Sequence, residues 1–212
     1  MPLFKTIIPN NYTTVFVWKI DESFDELLKG IQLTSNSLKR LNAMKSELHQ
    51  RGFLSVRHLL KKAGYADKDL YYNSNGKPHL KDGKHISISH SYHFSAIIIS
   101  NIEVGIDIEK NREKIKIIQN KFVNFERGFI YKDDDNIQQL TVIWGAKESL
   151  YKIYPYGGLT FKNNIDINSF KIKDKKTTGT IKFKDWNKKY AIHFQQLEDF
   201  TLVYALENLK NE

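Results

Sequence analysis

Twice along the chain a helical run gives way to a compact strand–turn–strand segment. The first is HISISHSYHFSAIIIS at 85–100, and the second is YAIHFQQLEDFTLVYAL at 190–206. In both, apolar residues recur at the period of two that a half-buried strand requires, across a turn of only a few residues. Strands joined so tightly pair antiparallel, and the apolar face of such a sheet has to be covered by another layer. The chain is therefore expected to be α+β, with two halves that each pack a helix on a small antiparallel sheet. If two such lobes pack together, the crevice between them is the default ligand site.

The remaining segments fill in this plan. Residues 3–8 and 13–20 read as strands. SFDELLKG reads as a short helix capped by Ser23, with acids in its first turn and Gly30 at its end. The spacing of Leu38, Leu41, Met44, Leu48, Phe53, Val56 and Leu59 predicts two helices over 35–64 with a break near Gly52. YYNSNGKPHLKDGK is turn-rich, and VGIDIE reads as a further strand. REKIKIIQNKFVNFERGFIY and NIQQLTVIWGAKESLYKIYP read as helices, with KDDD at 132–135 as the loop between them. NIDINSFKIK and TGTIKFKDW read as strands ahead of the second hairpin.

Composition narrows the classes. With 41% hydrophobic residues, including 13 Phe, 11 Tyr and 3 Trp, the chain has ample material for a packed interior, which argues against disorder. No apolar run approaches bilayer-spanning length and the first residues are too polar for a leader, so the cytoplasm is the expected compartment and no membrane partner is expected. With no cysteine, disulfides, thiolate zinc sites and cysteine nucleophiles are all excluded. The formal charge is +9, and residues 1–100 carry 14 Lys and Arg against 8 Asp and Glu. Such a surface suits a polyanion: nucleic acid, a phosphate-rich small molecule or an acidic protein.

EVGIDIEK at 103–110 focuses the chemistry. On a strand, Asp107 and Glu109 share one face, while Val104, Ile106 and Ile108 take the other. The pair is either a solvated face or, among apolar strands, a site that needs a cation, for which Mg²⁺ is the hard-ligand choice. In WGAKESLYK, Trp144, Glu148 and Lys152 recur every four residues and line one helix face. That face is either a plain Glu–Lys pair or a third carboxylate at the core edge. His90 stands between Ser89 and Ser91 just before a turn, Lys77 sits in the rigid Gly76-Lys77-Pro78 turn, and Arg51 and Arg57 lie upstream. Each is a plausible phosphate contact.

Taken in order, Gly76-Lys77-Pro78, Ile88-Ser89-His90-Ser91, Gly105-Ile106-Asp107-Ile108-Glu109 and the stretch from Trp144 through Lys147, Glu148 and Ser149 to Lys152 form a joint pattern. It resembles the 4′-phosphopantetheinyl transferase superfamily, of the long, pseudo-dimeric, Sfp-like type. QRGFLSVRHLL upstream is similar to the arginine-bearing helix of that family. The resemblance implies two lobes, 1–102 and 103–212, related by a pseudo-twofold, with the active site in the crevice between them.

The resemblance also implies an activity: transfer of the phosphopantetheine arm of coenzyme A to a serine of an apo acyl or peptidyl carrier protein, with adenosine 3′,5′-bisphosphate released. Asp107, Glu109 and Glu148 would hold Mg²⁺, with Mn²⁺ as a substitute, and Asp107, Glu148 and Lys152 would be catalytic. Glu148 would be the base and Lys152 would stand by the reacting phosphate. Ser89, His90, Lys77, Lys147 and one or both of Arg51 and Arg57 would contact coenzyme A. The excess positive charge would meet coenzyme A and an acidic carrier, with nucleic acid the less favoured partner. The competing expectations are a basic nucleic-acid module using TGTIKFKDWNKKYAIHF, and a relative that binds coenzyme A without transferring it.

Overall fold

The structure is a computed structural model and describes residues 3–131 and 136–207. The chain divides into two compact units, Met1–Asn101 and Ile102–Glu212. The KDDD loop expected at 132–135 lies outside the described residues. Among the described residues no helix is long and apolar enough to cross a membrane.

The first unit contains β1 (Leu3–Asn10), β2 (Thr13–Lys19), α1 (Phe24–Leu28), α2 (Ser35–Ala43), α3 (Glu47–Lys62), β3 (Leu70–Tyr72), β4 (Pro78–Leu80), β5 (His85–Ser91) and β6 (Phe94–Ser100). Its sheet has the order β1-β2-β6-β5, with β3 and β4 as a separate ribbon inside the turn-rich stretch. Ser23 caps α1 reciprocally: its hydroxyl accepts from Glu26 N, and the Glu26 carboxylate accepts from Ser23 N at 2.9 Å. The helical break expected near Gly52 falls instead at 44–46. α3 runs unbroken through Gly52, because the missing side chain makes room for the His90 ring. Trp18, Leu41, Leu54, Leu59 and Ile97 anchor this unit's core.

The second unit contains β7 (Val104–Lys110), α4 (Lys114–Ile118), α5 (Asn136–Ile153), α6 (Phe161–Asn164), β8 (Ile165–Ile167), β9 (Lys176–Phe183), β10 (Trp186–Leu197) and β11 (Phe200–Glu207), with sheet order β7-β11-β10-β9-β8. The helix expected over 112–131 is present only as α4, followed by 3₁₀ turns at Gln119–Lys121 and Phe125–Gly128. The buried Glu126 carboxylate accepts from Asn124 N at 3.2 Å, a backbone N–H that a continuous helix would bond to residue 120. Phe122, Leu140, Ile143, Leu150 and Ile181 build this unit's core.

The units share one element order. A strand (β2 or β7) precedes a long helix (α3 or α5). A hairpin (β5–β6 or β10–β11) follows, and its second strand pairs antiparallel with the strand before the helix. In each, the helix packs on that central strand pair. α5 lies on β7 and β11, which places the WGAKESLYK helix over the GIDIE strand.

Candidate active site

Two glycines allow α5 to approach the sheet closely. A side chain on Gly105 of β7 would run into the carbonyl oxygen of Ser149 on α5. A Cβ on Gly145 of α5 would lie 2.8 Å from a Val203 methyl and 3.5 Å from Asp107 Oδ2. The Ser149 hydroxyl, itself buried, donates to Gly145 O at 2.7 Å and lies 3.3 Å from Val203 O on β11. Gly105, Asp107 and Glu109 alternate onto the same face of β7, so the carboxylate face is the one α5 covers.

α5 then delivers its polar residues to that strand. Lys152 Nζ donates to Ile106 O at 2.8 Å and to Asp107 Oδ1 at 2.9 Å, and Asp107 is only 4% exposed. Glu148, one turn earlier, feels several groups at once. Burial pushes its carboxyl up, Asp107 pushes it further, Lys152 opposes both and Glu109 adds to the rise, and the result is a pKa of about 7 rather than 4.5. Trp144, the third residue of this face, packs between Phe122 and Phe161, with ring centres 5.2 Å from each. Beside Glu109, a pocket of about 180 Å³ is walled by Trp144, Ile115 and Ile118, with Arg112 and Lys114 at its rim.

Among the described residues no three His, Asp or Glu side chains form a ready-made metal cage. The donor chemistry nevertheless fits a hard divalent cation. Mg²⁺ takes one or two carboxylates and fills its remaining positions with water and phosphate oxygens, so an incomplete protein shell is its usual site. Two neighbouring carboxylates raise the proton affinity of Glu148, and such repulsion is what a bound cation relieves.

All the expected coenzyme A contacts except Lys147 lie in the first unit, and they differ in accessibility. His90 is exposed at the end of β5 against Gly52, with its ring 6.4 Å from that of His49, whereas Ser89 is buried. Lys77 is half-buried in its turn, where its backbone N–H donates to Asn73 Oδ1 at 2.9 Å. Arg51 donates from Nη2 to Ile20 O at 3.1 Å, and its buried Nε has no hydrogen-bond partner among the described residues. Arg57 is different. It is 4% exposed, its Nε binds Asp67 Oδ1 at 3.0 Å, and its guanidinium lies 3.4 Å from the Phe53 ring centre. Asp67 is also held by Thr34 and Ser37, so Arg57 is a buried structural cation and not a ligand contact.

Lys147 is corrected in the same way. It is fully buried, pairs with Glu126 at 2.8 Å, and donates to Phe122 O at 2.7 Å and Phe161 O at 3.0 Å, which leaves nothing for coenzyme A. Its partner Glu126 is absent from the sequence expectation, since no short spacing links positions 126 and 147. Asn111, Gln196 and Thr201, a hydrogen-bonded trio beside Glu109, are absent too; Thr201 lies directly across from Glu109. In the stretch nominated for nucleic acid, Lys182 pairs with Asp166, Lys188 pairs with Glu207, and Trp186 packs on the core.

The chain is similar to known proteins. A family model described as the 4′-phosphopantetheinyl transferase superfamily matches residues 103–206. The chain is also 34% identical over 155 residues to a protein named 4′-phosphopantetheinyl transferase gsp from Aneurinibacillus migulanus, with 70% of this chain and 62% of that protein covered. The match thus spans a little under two thirds of that relative's length. Through the unit that carries Asp107, Glu109, Glu148 and Lys152, the chain belongs to the 4′-phosphopantetheinyl transferase superfamily.

Proposed function

We propose that the chain transfers the phosphopantetheine arm of coenzyme A to a serine hydroxyl of an acidic apo acyl or peptidyl carrier protein, with Mg²⁺ held by Asp107, Glu109 and Glu148, and Mn²⁺ as a substitute. The observation that carries this reading is Glu148: a carboxyl of near-neutral pKa, set against two further carboxylates and a lysine, inside a unit that matches the family. Without a cation Glu148 holds its proton close to neutral pH; beside bound Mg²⁺ its carboxylate would be ionised and able to accept a proton. Glu148 takes the serine proton as the serine oxygen bonds to the phosphorus. The bond from that phosphorus to the leaving phosphate oxygen breaks, and adenosine 3′,5′-bisphosphate departs. Lys152, paired with Asp107, stabilises charge on the transferred phosphate. When bound, Mg²⁺ supplies Lewis-acid polarisation and neutralises the pyrophosphate. His90, Ser89, Lys77 and Arg51 bind the phosphates and nucleotide end of coenzyme A.

The test is to incubate the chain with coenzyme A, Mg²⁺ and a panel of apo carrier proteins, then weigh the carriers. Mass gain on the carrier serine is expected. No gain on any carrier, with a known transferase working in parallel, would remove the proposal.

A further inference from the structure

The pair Lys147–Glu126 sits behind Glu148 and is used by no step above. Both side chains are wholly buried and lie 2.8 Å apart. Lys147 directs its remaining protons to Phe122 O and Phe161 O. Glu126 accepts from Ile167 N at 3.0 Å through one oxygen and from Asn124 N at 3.2 Å through the other. One ion pair thereby joins α5 to the 122–126 segment, to β8 and to the start of α6. Every donor of the lysine is used, so its head cannot shift without stranding a buried charge.

Successive residues on a helix project about 100° apart. Lys147 and Glu148 are consecutive, and they face different neighbours: Lys147 faces Glu126 and the 122–126 segment, while Glu148 shares its helix face with Lys152, one turn on, which bonds Asp107 and Ile106 O of β7. Pinning one therefore sets the direction of the other. Gly145 and Ser149 set the height of α5 above the sheet, Lys152 ties its last turn to Ile106 and Asp107 of β7, and the buried pair ties another side of the helix to the 122–126 segment and α6.

We propose that Lys147 and Glu126 are positioning residues, a buried lock on the rotation of α5 that aims Glu148 at Asp107 and Glu109. The inference rests on the transferase reading for what Glu148 does, and on the geometry above for how it is aimed. Groups that orient ligands from behind typically alter metal affinity about 10–100-fold when removed.

The experiment compares the wild type, Lys147→Met, and the double variant Glu126→Leu/Lys147→Met, which replaces the pair with apolar side chains and leaves no stranded charge. Calorimetric titration with Mg²⁺ alone, thermal midpoints, and kcat and KM for coenzyme A are measured on each. The double variant is expected to keep a near-wild-type midpoint and KM, but to bind Mg²⁺ about 10–100-fold more weakly and to lose kcat. A double variant that binds Mg²⁺ like the wild type, or that recovers kcat together with stability, would overturn the lock and leave the pair merely structural; so would a wild type that binds no Mg²⁺. Mg²⁺ binding by the wild type without transfer to any carrier would count against the transferase reading alone, and the Mg²⁺ comparison would still decide the lock.

Discussion

Glu148→Gln should make the protein more stable at neutral pH while ending its activity. The carboxyl of Glu148 is pushed from 4.5 to about 7, first by burial and then by Asp107. Its folded-state pKa thus lies above its unfolded value. The folded chain holds this proton where the unfolded chain has released it, so stability falls as pH rises through the window from about 4.5 to about 7, and is level above it. At about 1.4 kcal/mol for each tenfold change in proton affinity, the full difference is about 3 kcal/mol, or about 2 kcal/mol after allowance for the partial exposure of Glu148. Gln is neutral at every pH and close in shape, so it escapes this cost. Scanning calorimetry in chelator from pH 5 to 8 should show wild type and variant close together at pH 5 and separating steadily up to pH 7. For a unit of this size, about 2 kcal/mol corresponds to about 8–16 °C in the midpoint. A pH-independent gap, or a variant less stable at pH 8, would refute the electrostatic account of the site. Saturating Mg²⁺ should then stabilise the wild type much more than the variant, because it relieves the repulsion that Gln has already removed.

Four other outcomes follow from the same geometry. Gly105→Ala forces α5 off β7, costing about 1–3 kcal/mol or more from overpacking and lowering kcat out of proportion to KM, as thermal melts and steady-state kinetics will show. Arg57→Ala strands Asp67 in the first unit and should destabilise it by about 3–5 kcal/mol in urea unfolding, whereas Arg51→Ala should leave stability within about 1 kcal/mol and raise KM for coenzyme A. Equal loss of stability in both would overturn the distinction drawn between the two arginines. Asp107→Ala should abolish mass gain on the carrier, since it removes a proposed metal ligand and the partner of Lys152 together. Association with an acidic carrier should slow steeply as salt rises; a flat salt profile in stopped-flow would detach the +9 charge from carrier binding.

Much of this was legible in the sequence because it depends on short-range periodicity. The period of two in VGIDIE put Asp107 and Glu109 on one face without any knowledge of neighbours, and the period near four in WGAKESLYK did the same for Trp144, Glu148 and Lys152. The hairpins and the α+β class followed from the same regularities, and the motif series pointed to the family. Local rules failed where tertiary contacts overrode them. Gly52 reads as a helix breaker, yet it lies inside α3 because a ring from β5 occupies the space beside it. Residues 112–131 carry helical spacing, but the Glu126 carboxylate takes the Asn124 N–H that a continuous helix would use, and the run continues as turns.

Charge is where sequence and tertiary structure part most clearly. Lys77, Arg51, Arg57 and Lys147 are equivalent in a sequence: each is a cation near a motif. Only the fold distinguishes them, by burying Arg57 against Asp67 and Lys147 against Glu126 while leaving Lys77 and Arg51 partly exposed. The reason is that a residue's spacing along one element sets which face it occupies, whereas the partner it meets there comes from another element, 10 residues away for Arg57 and 21 for Lys147. The sequence determined that two carboxylates would stand side by side on a strand. Tertiary structure decided that α5 would cover them, that Glu148 would join them, and that burial would hold its proton near neutral pH.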